Sequence, residues 1–134
     1  MSLISYISVE GLGDKRGQLV VFENMRNLGF DIKRVYYLTG TVEGVSRGFH
    51  AHKKLEQVAV CVSGKCLMVL DNGQVKETTW LDSPSKAIKI APMIWHEMHS
   101  FSPDCVLLVM ASEYYDEADY IRDYSKFLKV VSYA

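Results

Sequence analysis

The stretch Arg47-Gly48-Phe49-His50-Ala51-His52-Lys53-Lys54-Leu55-Glu56-Gln57 holds two histidines, an arginine and a carboxylate within a short span. Side chains alternate between the two faces of a β-strand, so His50 and His52 share a face and Arg47 sits where the strand begins. By the same alternation Phe49 and Ala51 look away from that face and into packing. Two imidazoles side by side can exchange protons near neutrality, because their unperturbed pKa is about 6.5. Neutral imidazoles can instead ligate a metal, and Glu56 and His96 would add donors to His50 and His52. The plain alternative is a half-exposed strand carrying two surface histidines.

The elements that must position this stretch read as short strands. Runs rich in β-branched and aromatic residues recur at Ile4-Val9, Leu19-Phe22, Ile32-Leu38, Gln57-Val62, Cys66-Leu70, Val75-Trp80, Ala87-Ile90 and Val106-Met110, with turn signals between them. Such spacing predicts an all-β sandwich or barrel. Ser63-Gly64 and Asp71-Asn72-Gly73 separate consecutive runs as hairpin turns, because glycine and asparagine tolerate positive φ. Asp82-Ser83-Pro84-Ser85 and Ser102-Pro103-Asp104 read as loops. Toward the C-terminus Tyr120, Ile121, Tyr124, Phe127, Leu128 and Val131 fall at helical spacing, which predicts a short helix sealing one end or edge of the barrel. Asp116, Glu117 and Asp119 suit its first turn, where the helix dipole favours negative charge.

A chain of 134 residues, 49% hydrophobic, suits one domain spanning residues 1–134. The formal net charge of −1 supplies no global attraction to nucleic acid or anionic lipid. The N-terminus lacks the basic region and apolar run of a signal peptide, and no run approaches the roughly 20 apolar residues of a membrane span. A cytoplasmic location is expected. Cys61, Cys66 and Cys105 each lie in apolar runs and suit reduced core thiols better than a disulfide framework.

Gly44 through Gly64 reads G-(x)5-H-x-H-(x)3-E-(x)7-G, one residue longer than the first cupin motif, and Ala91-Pro92-Met93-Ile94-Trp95-His96 resembles a degenerate second motif. Within the cupins, three segments resemble the dTDP-4-keto-6-deoxyglucose 3,4-ketoisomerases: Arg47 through Gln57, Trp95-His96-Glu97-Met98-His99 and Asp119-Tyr120-Ile121-Arg122. Asp14-Lys15-Arg16-Gly17 and Lys33-Arg34-Val35-Tyr36-Tyr37 extend the likeness upstream. The resemblance implies a cupin double-stranded β-helix, a jelly-roll barrel, with a short C-terminal helix. It also implies a homodimer that exchanges N-terminal strands, here Leu3-Val9, and a reaction needing no metal and no cofactor. The implied pathway leads to an aminated deoxysugar of a bacterial surface glycan.

In a 4-keto sugar the carbonyl acidifies the hydrogen at C3, so a single base can take it and return a proton to C4 through an enediolate. By resemblance His50 is the base and His52 an orienting or relay partner, though the residues alone do not rank the pair. The developing oxyanion needs fixed donors; Arg47, Tyr36 and His52 are candidates, with Arg34 on the parity of Tyr36. Arg16 matches a family position near the substrate, where a guanidinium suits a diphosphate. His96 is expected to line the pocket, and Trp95 to pack in the core. Three rivals share the sequence signals: a metal-dependent cupin oxygenase, a dTDP-sugar 3,5-epimerase and a non-catalytic sugar-nucleotide binding module. The missing glycine after Pro92 and the early arrival of His96 weigh against the oxygenase. The configuration at C4 of the product stays open.

Overall fold

The computed structural model describes residues 2–9 and 11–132; Met1, which belongs to the N-terminal stretch read above, lies outside them with Glu10, Tyr133 and Ala134. The N-terminal arm carries β1 (Ser5–Tyr6), then a hairpin of β2 (Gly11–Asp14) and β3 (Gly17–Val20). The barrel strands follow: β4 (Arg34–Leu38), β5 (Arg47–His52), β6 (Gln57–Ser63), β7 (Cys66–Asp71), β8 (Lys76–Leu81), β9 (Ile88–Ile90), β10 (Trp95–His99) and β11 (Val106–Ala111). A 3-10 turn at Glu117–Asp119, β12 (Tyr120–Ile121) and the helix α1 (Tyr124–Ser132) complete the chain. One antiparallel sheet runs β1-β9-β6-β11-β4 and the other β12-β5-β10-β7-β8, a jelly-roll arrangement.

Alternation builds the interior as the sequence predicts. On β4, Arg34, Tyr36 and Leu38 turn inward, while Val35 and Tyr37 are exposed. Between the sheets Ala59, Cys61, Met68, Leu70, Ile88, Leu107 and Val109 form the main core. A second cluster lies on the back of the histidine-bearing sheet, where Ala51 of β5 and Trp95 of β10 pack against Ile121 and Phe127. Helix α1 covers this back face with Phe127, Leu128 and Val131, and Tyr124 donates to Asp71 Oδ2 at 2.6 Å. Trp95 is therefore core, its indole N–H donating to Glu97 at 2.9 Å.

Three expectations need correction. The helix begins at Tyr124, not before Tyr120, because Asp123 caps it by accepting from the N–H groups of Ser125 and Lys126. Tyr120 and Ile121 instead pair with His52 and Ala51 as a strand. Asp116, Glu117 and Asp119 accordingly belong to the 3-10 turn, with Asp116 as its cap. Phe49 does not look into packing; it is 42% exposed at φ +59, the extra residue of a bulge.

A fourth correction concerns Ser63-Gly64, which closes no hairpin: β6 and β7 lie in different sheets, so this turn carries the chain from one sheet to the other and is held by a distant loop. Gly64 has φ +65, and a Cβ there would fall 2.3 Å from Ser102 Oγ and 2.8 Å from Cys105 Cα. Ser102 donates its N–H to the Lys65 carbonyl at 2.9 Å, and its Oγ accepts from Lys65 N–H at 2.8 Å. Gly40 has the same φ of +65 with open space for a Cβ. Gly40→Ala is thus expected to lose about 1 kcal/mol from the left-handed backbone alone. Gly64→Ala should lose a further 1–3 kcal/mol or about that from the collision; urea unfolding of the two variants measures the difference.

Candidate active site

A cavity of about 260 Å³ opens between the sheets. It is slightly smaller than the roughly 300–1,000 Å³ that encloses a drug-sized ligand, so it suits a group of monosaccharide size with the rest of a larger ligand at the mouth. Of the residues singled out from sequence, Arg34, Tyr36, Arg47, His50 and His96 line it.

The β5 bulge explains how Arg47 joins His50. His50 lies opposite His96, Gly48 opposite Glu97 and Arg47 opposite Met98, so Phe49 has no partner on β10. The inserted residue reverses the parity of everything before it, and Arg47 comes to the face of His50 instead of the opposite one. Gly48 makes this possible, with φ +93 and only 2.9 Å between a would-be Cβ and the His96 carbonyl oxygen.

Each of three imidazoles is tied through Nδ1. His50 donates to the Gly48 carbonyl at 3.1 Å, His96 to the Ile94 carbonyl at 3.2 Å, and His52 to Asp119 Oδ2 at 3.2 Å. An Nδ1–H fixed in this way leaves Nε2 of the neutral ring as a proton acceptor. The His50 ring meets His96 at 4.5 Å and His52 at 4.9 Å between centroids. His52 is buried and does not itself line the cavity; Asp119, which holds it, also accepts from the N–H groups of Lys54 and Leu55.

Burial governs the protonation of this cluster. Burial first, and then the neighbouring His50, hold His52 down to about 3, and the same two causes hold His96 to about 3. Burial also lowers His50, against the pull of its bond to Gly48. The cluster is therefore neutral at pH 7. Donor nitrogens of the trio lie within 4.8 Å of one another, close enough to share a cation. Glu56, the fourth ligand position of the motif, instead pairs with Lys89 at 3.0 Å and stands outside the group.

Facing the histidines are donors in want of acceptors. Tyr36 donates its hydroxyl to Gln57 Oε1 at 2.6 Å; burial first, then the Tyr120 phenol, push its pKa up to about 12, so it stays protonated. The Gln57 Nε2 and the Arg34 Nε are buried without a partner among the described residues, and both residues line the cavity. At the mouth Arg122 lies over the Tyr120 ring at 4.2 Å and donates twice to Glu117, at 2.7 and 2.9 Å.

Gln57, Asp119, Tyr120 and Arg122 carry no site role in the sequence reading, although they fall within segments that carry the resemblance. Gln57 had a signal, a polar side chain on the inward parity of an apolar strand, beside Ala59 and Cys61. The other three were concealed by the helical spacing assigned to their segment. Arg16 stands apart: it sits at the β2–β3 turn, its side chain exposed and bound to Asp14 at 2.6 Å, outside the cavity of its own chain.

A family model described as FdtA, WxcM-like, C-terminal, matches residues 2–132. Among curated proteins, the TDP-4-oxo-6-deoxy-alpha-D-glucose-3,4-oxoisomerase of Aneurinibacillus thermoaerophilus is 51% identical over 126 residues, which covers 94% of this chain and 91% of that one. Among solved structures, QdtA, a sugar 3,4-ketoisomerase from Thermoanaerobacterium thermosaccharolyticum in complex with TDP, is similar with a TM-score of 0.95 and 40% identity, over 98% of this chain and 96% of that one. A 3,4-ketoisomerase from Helicobacter canadensis is similar with a TM-score of 0.93 and 40% identity, over 96% and 97% of the two chains.

The neutral histidines set the pH dependence of stability. His52 and His96 titrate near 6.5 when unfolded and near 3 when folded, so between those values the unfolded chain binds more protons and acid favours it. Their contribution is complete above pH 6.5 and is lost progressively as pH falls toward 3. Melting temperature should decline across this window, and a His96→Gln variant, with one fewer such group, should decline less steeply when both are followed by circular dichroism.

Proposed function

The chain belongs to the FdtA family, WxcM-like, C-terminal, and from that premise we propose how its residues move a ketone along a nucleotide-linked sugar. It is a sugar-nucleotide 3,4-ketoisomerase, converting dTDP-4-keto-6-deoxyglucose to the 3-keto isomer. Neutral His50 and His96, each with Nδ1 tied to the protein, line one cavity with the unpartnered donors of Arg34 and Gln57, and His52 is tied to Asp119 beside them; this arrangement carries the mechanistic reading.

His50 Nε2 takes the C3 hydrogen as a proton, and the C4 ketone becomes one oxygen of an enediolate. The proton held on His50 exchanges with solvent before a proton is returned to C4, while the hydrogen of the C3 hydroxyl passes to the oxygen on C4. One ketone is lost at C4 and one is formed at C3, with no net change in atoms or electrons. His52, held by Asp119, serves as relay and orienting partner to His50. Arg34 Nε, Gln57 Nε2 and Arg47 stabilise the enediolate, a contribution of about 3–4 kcal/mol for one well-placed donor in such sites. His96 forms a neutral wall beside His50, their ring centroids 4.5 Å apart. Tyr36 acts as a fixed hydroxyl that turns the Gln57 amide toward the sugar. At the mouth, Arg122 receives the diphosphate by exchanging its carboxylate partner Glu117 for phosphate oxygens.

Incubation with dTDP-4-keto-6-deoxyglucose in deuterated buffer, followed by proton NMR, is expected to give a 3-keto product labelled at C4, with no label at C5. Label at C5 would identify epimerisation, and unchanged substrate would indicate a binding module. His50→Asn should abolish turnover with substrate binding retained; activity near wild type would transfer the role of base to His52.

We propose further that a homodimer completes the site through exchanged N-terminal arms. Within one chain the β2–β3 hairpin stands off the barrel with Leu12 52% and Leu19 58% exposed, and β1 contributes only two residues to a sheet edge. A second copy would cover these leucines and carry Arg16 to its neighbour's diphosphate. A cytoplasmic location suits the three free thiols. No helix among the described residues is long and apolar enough to cross a membrane. Mixing His50→Asn chains with Arg16→Ala chains tests the exchange: hybrid dimers should regain activity that neither parent has, and a mixture no better than its parents would place Arg16 in service of its own chain.

A further inference from the structure

One layer below the cavity lies a cluster that the reaction does not use. Ala59, Met68 and Leu107 line the cavity floor, and two residues further from each stand Cys61, Cys66 and Cys105. The Cys61 sulfur lies 3.7 Å from that of Cys66 and 3.7 Å from that of Cys105, and all three sulfurs fall within 4.8 Å of one another. All three residues are buried. The arrangement is built in: the Ser63-Gly64 turn brings Cys61 and Cys66 together across β6 and β7, and the Lys65–Ser102 hydrogen bonds seat the Cys105 loop against them.

The surroundings are apolar, with Leu70, Leu81, Phe101 and Leu107 in the same core. Contact with Cys66 and then burial push the Cys61 thiol up, and burial pushes Cys105 up to about 12. A monovalent or divalent metal held by three thiolates would leave a net negative charge in this core, which is costly without a cationic partner. Zinc would also need a fourth ligand, and none joins the cluster among the described residues. A trivalent, thiophilic centre with three-fold coordination meets both constraints, because its tris-thiolate is uncharged.

We propose that Cys61, Cys66 and Cys105 form a binding site for trivalent arsenic, taken up as arsenous acid. Three arsenic–oxygen bonds break and three arsenic–sulfur bonds form; each thiol proton leaves with a hydroxyl group, so three waters are released. Arsenic and sulfur keep their oxidation states. Arsenous acid is small, neutral and hydroxylated, so a cavity suited to a sugar admits it, and the flexible Met68 side chain is the floor residue it must pass. Binding is therefore slow, and it ties β6, β7 and the loop before β11 together directly beneath the sugar site.

The test is native mass spectrometry of the full-length protein after prolonged incubation with sodium arsenite. The expected result is one adduct, heavier by one arsenic atom less three hydrogens, which Cys61→Ala and Cys66→Ala each lose. Arsenic K-edge absorption of the wild-type adduct should read three sulfur neighbours and no oxygen, a measurement that does not depend on any variant folding. No adduct in the wild type, an adduct that survives Cys61→Ala in folded protein, or an arsenic centre that keeps an oxygen neighbour would each overturn the site. So would zinc binding with the same cysteine dependence where arsenite fails.

Discussion

Everything at the site depends on one inserted residue. A regular β5 would put Gly48, His50 and His52 on one face and Arg47 on the other, with the cation on the back of the sheet where Trp95 and Phe127 pack. Phe49 breaks that alternation, and the positive φ of Gly48 and Phe49 absorbs the extra length. The same kink turns the Gly48 carbonyl to accept the His50 Nδ1 proton. A single irregularity thus delivers the guanidinium and fixes the tautomer of the proposed base. Bulges beside functional sites re-aim side chains in this way, and a non-glycine at position 48 would meet backbone of β10 at both His96 and Glu97.

Much of this was legible because strand patterning is local. The runs around β6, β7, β8 and β11 lie within a residue or two of the observed strands, the Asp71-Asn72-Gly73 hairpin falls where glycine and asparagine place it, and alternation leaves only one of Tyr36 and Tyr37 inside, Tyr36 as the resemblance implies. The Ser63-Gly64 turn reads as a hairpin because sequence does not tell whether the strands it joins pair with each other. The bulge was not legible, since nothing within Arg47 to His52 tells whether pairing with β10 skips a residue; that is a property of two strands. Tyr120 and Ile121 mislead for a related reason. Their spacing to Tyr124 and Phe127 fits a helix, but pairing with His52 and Ala51 outcompetes it, and Asp123 supplies a cap that restarts the chain as α1. Asp119 and Arg122 go with that segment, so the partner of His52 and the cation at the mouth become visible only in three dimensions. The resemblance supplied the identity of the key segments; their roles still rest on how the barrel arranges them.

The interior is ordered by charge along the axis from core to mouth. The thiols lie deepest, uncharged among apolar residues. Above them the floor of Ala59, Met68 and Leu107 is apolar, then come three imidazoles that burial keeps neutral, and the guanidinium of Arg122 stands at the rim. A neutral base suits a carbon acid better than a charged one, since it can accept a proton; burial achieves this first, and the neighbouring His50 makes protonation of His52 and His96 harder still. Asp119 does not undo this by stabilising a charged His52: burial prevails, and the carboxylate divides its acceptor capacity between the ring and two backbone N–H groups. What Asp119 fixes is orientation. Arg34 and Arg47 line the same cavity as His50 and His96, so in the proposed mechanism fixed positive charge meets the enediolate oxygens while the base beside them stays neutral. A neutral base facing fixed cationic donors suits a proposed transfer that forms an oxyanion and then discharges it, because the base can take the proton and the donors hold the charge until it is returned.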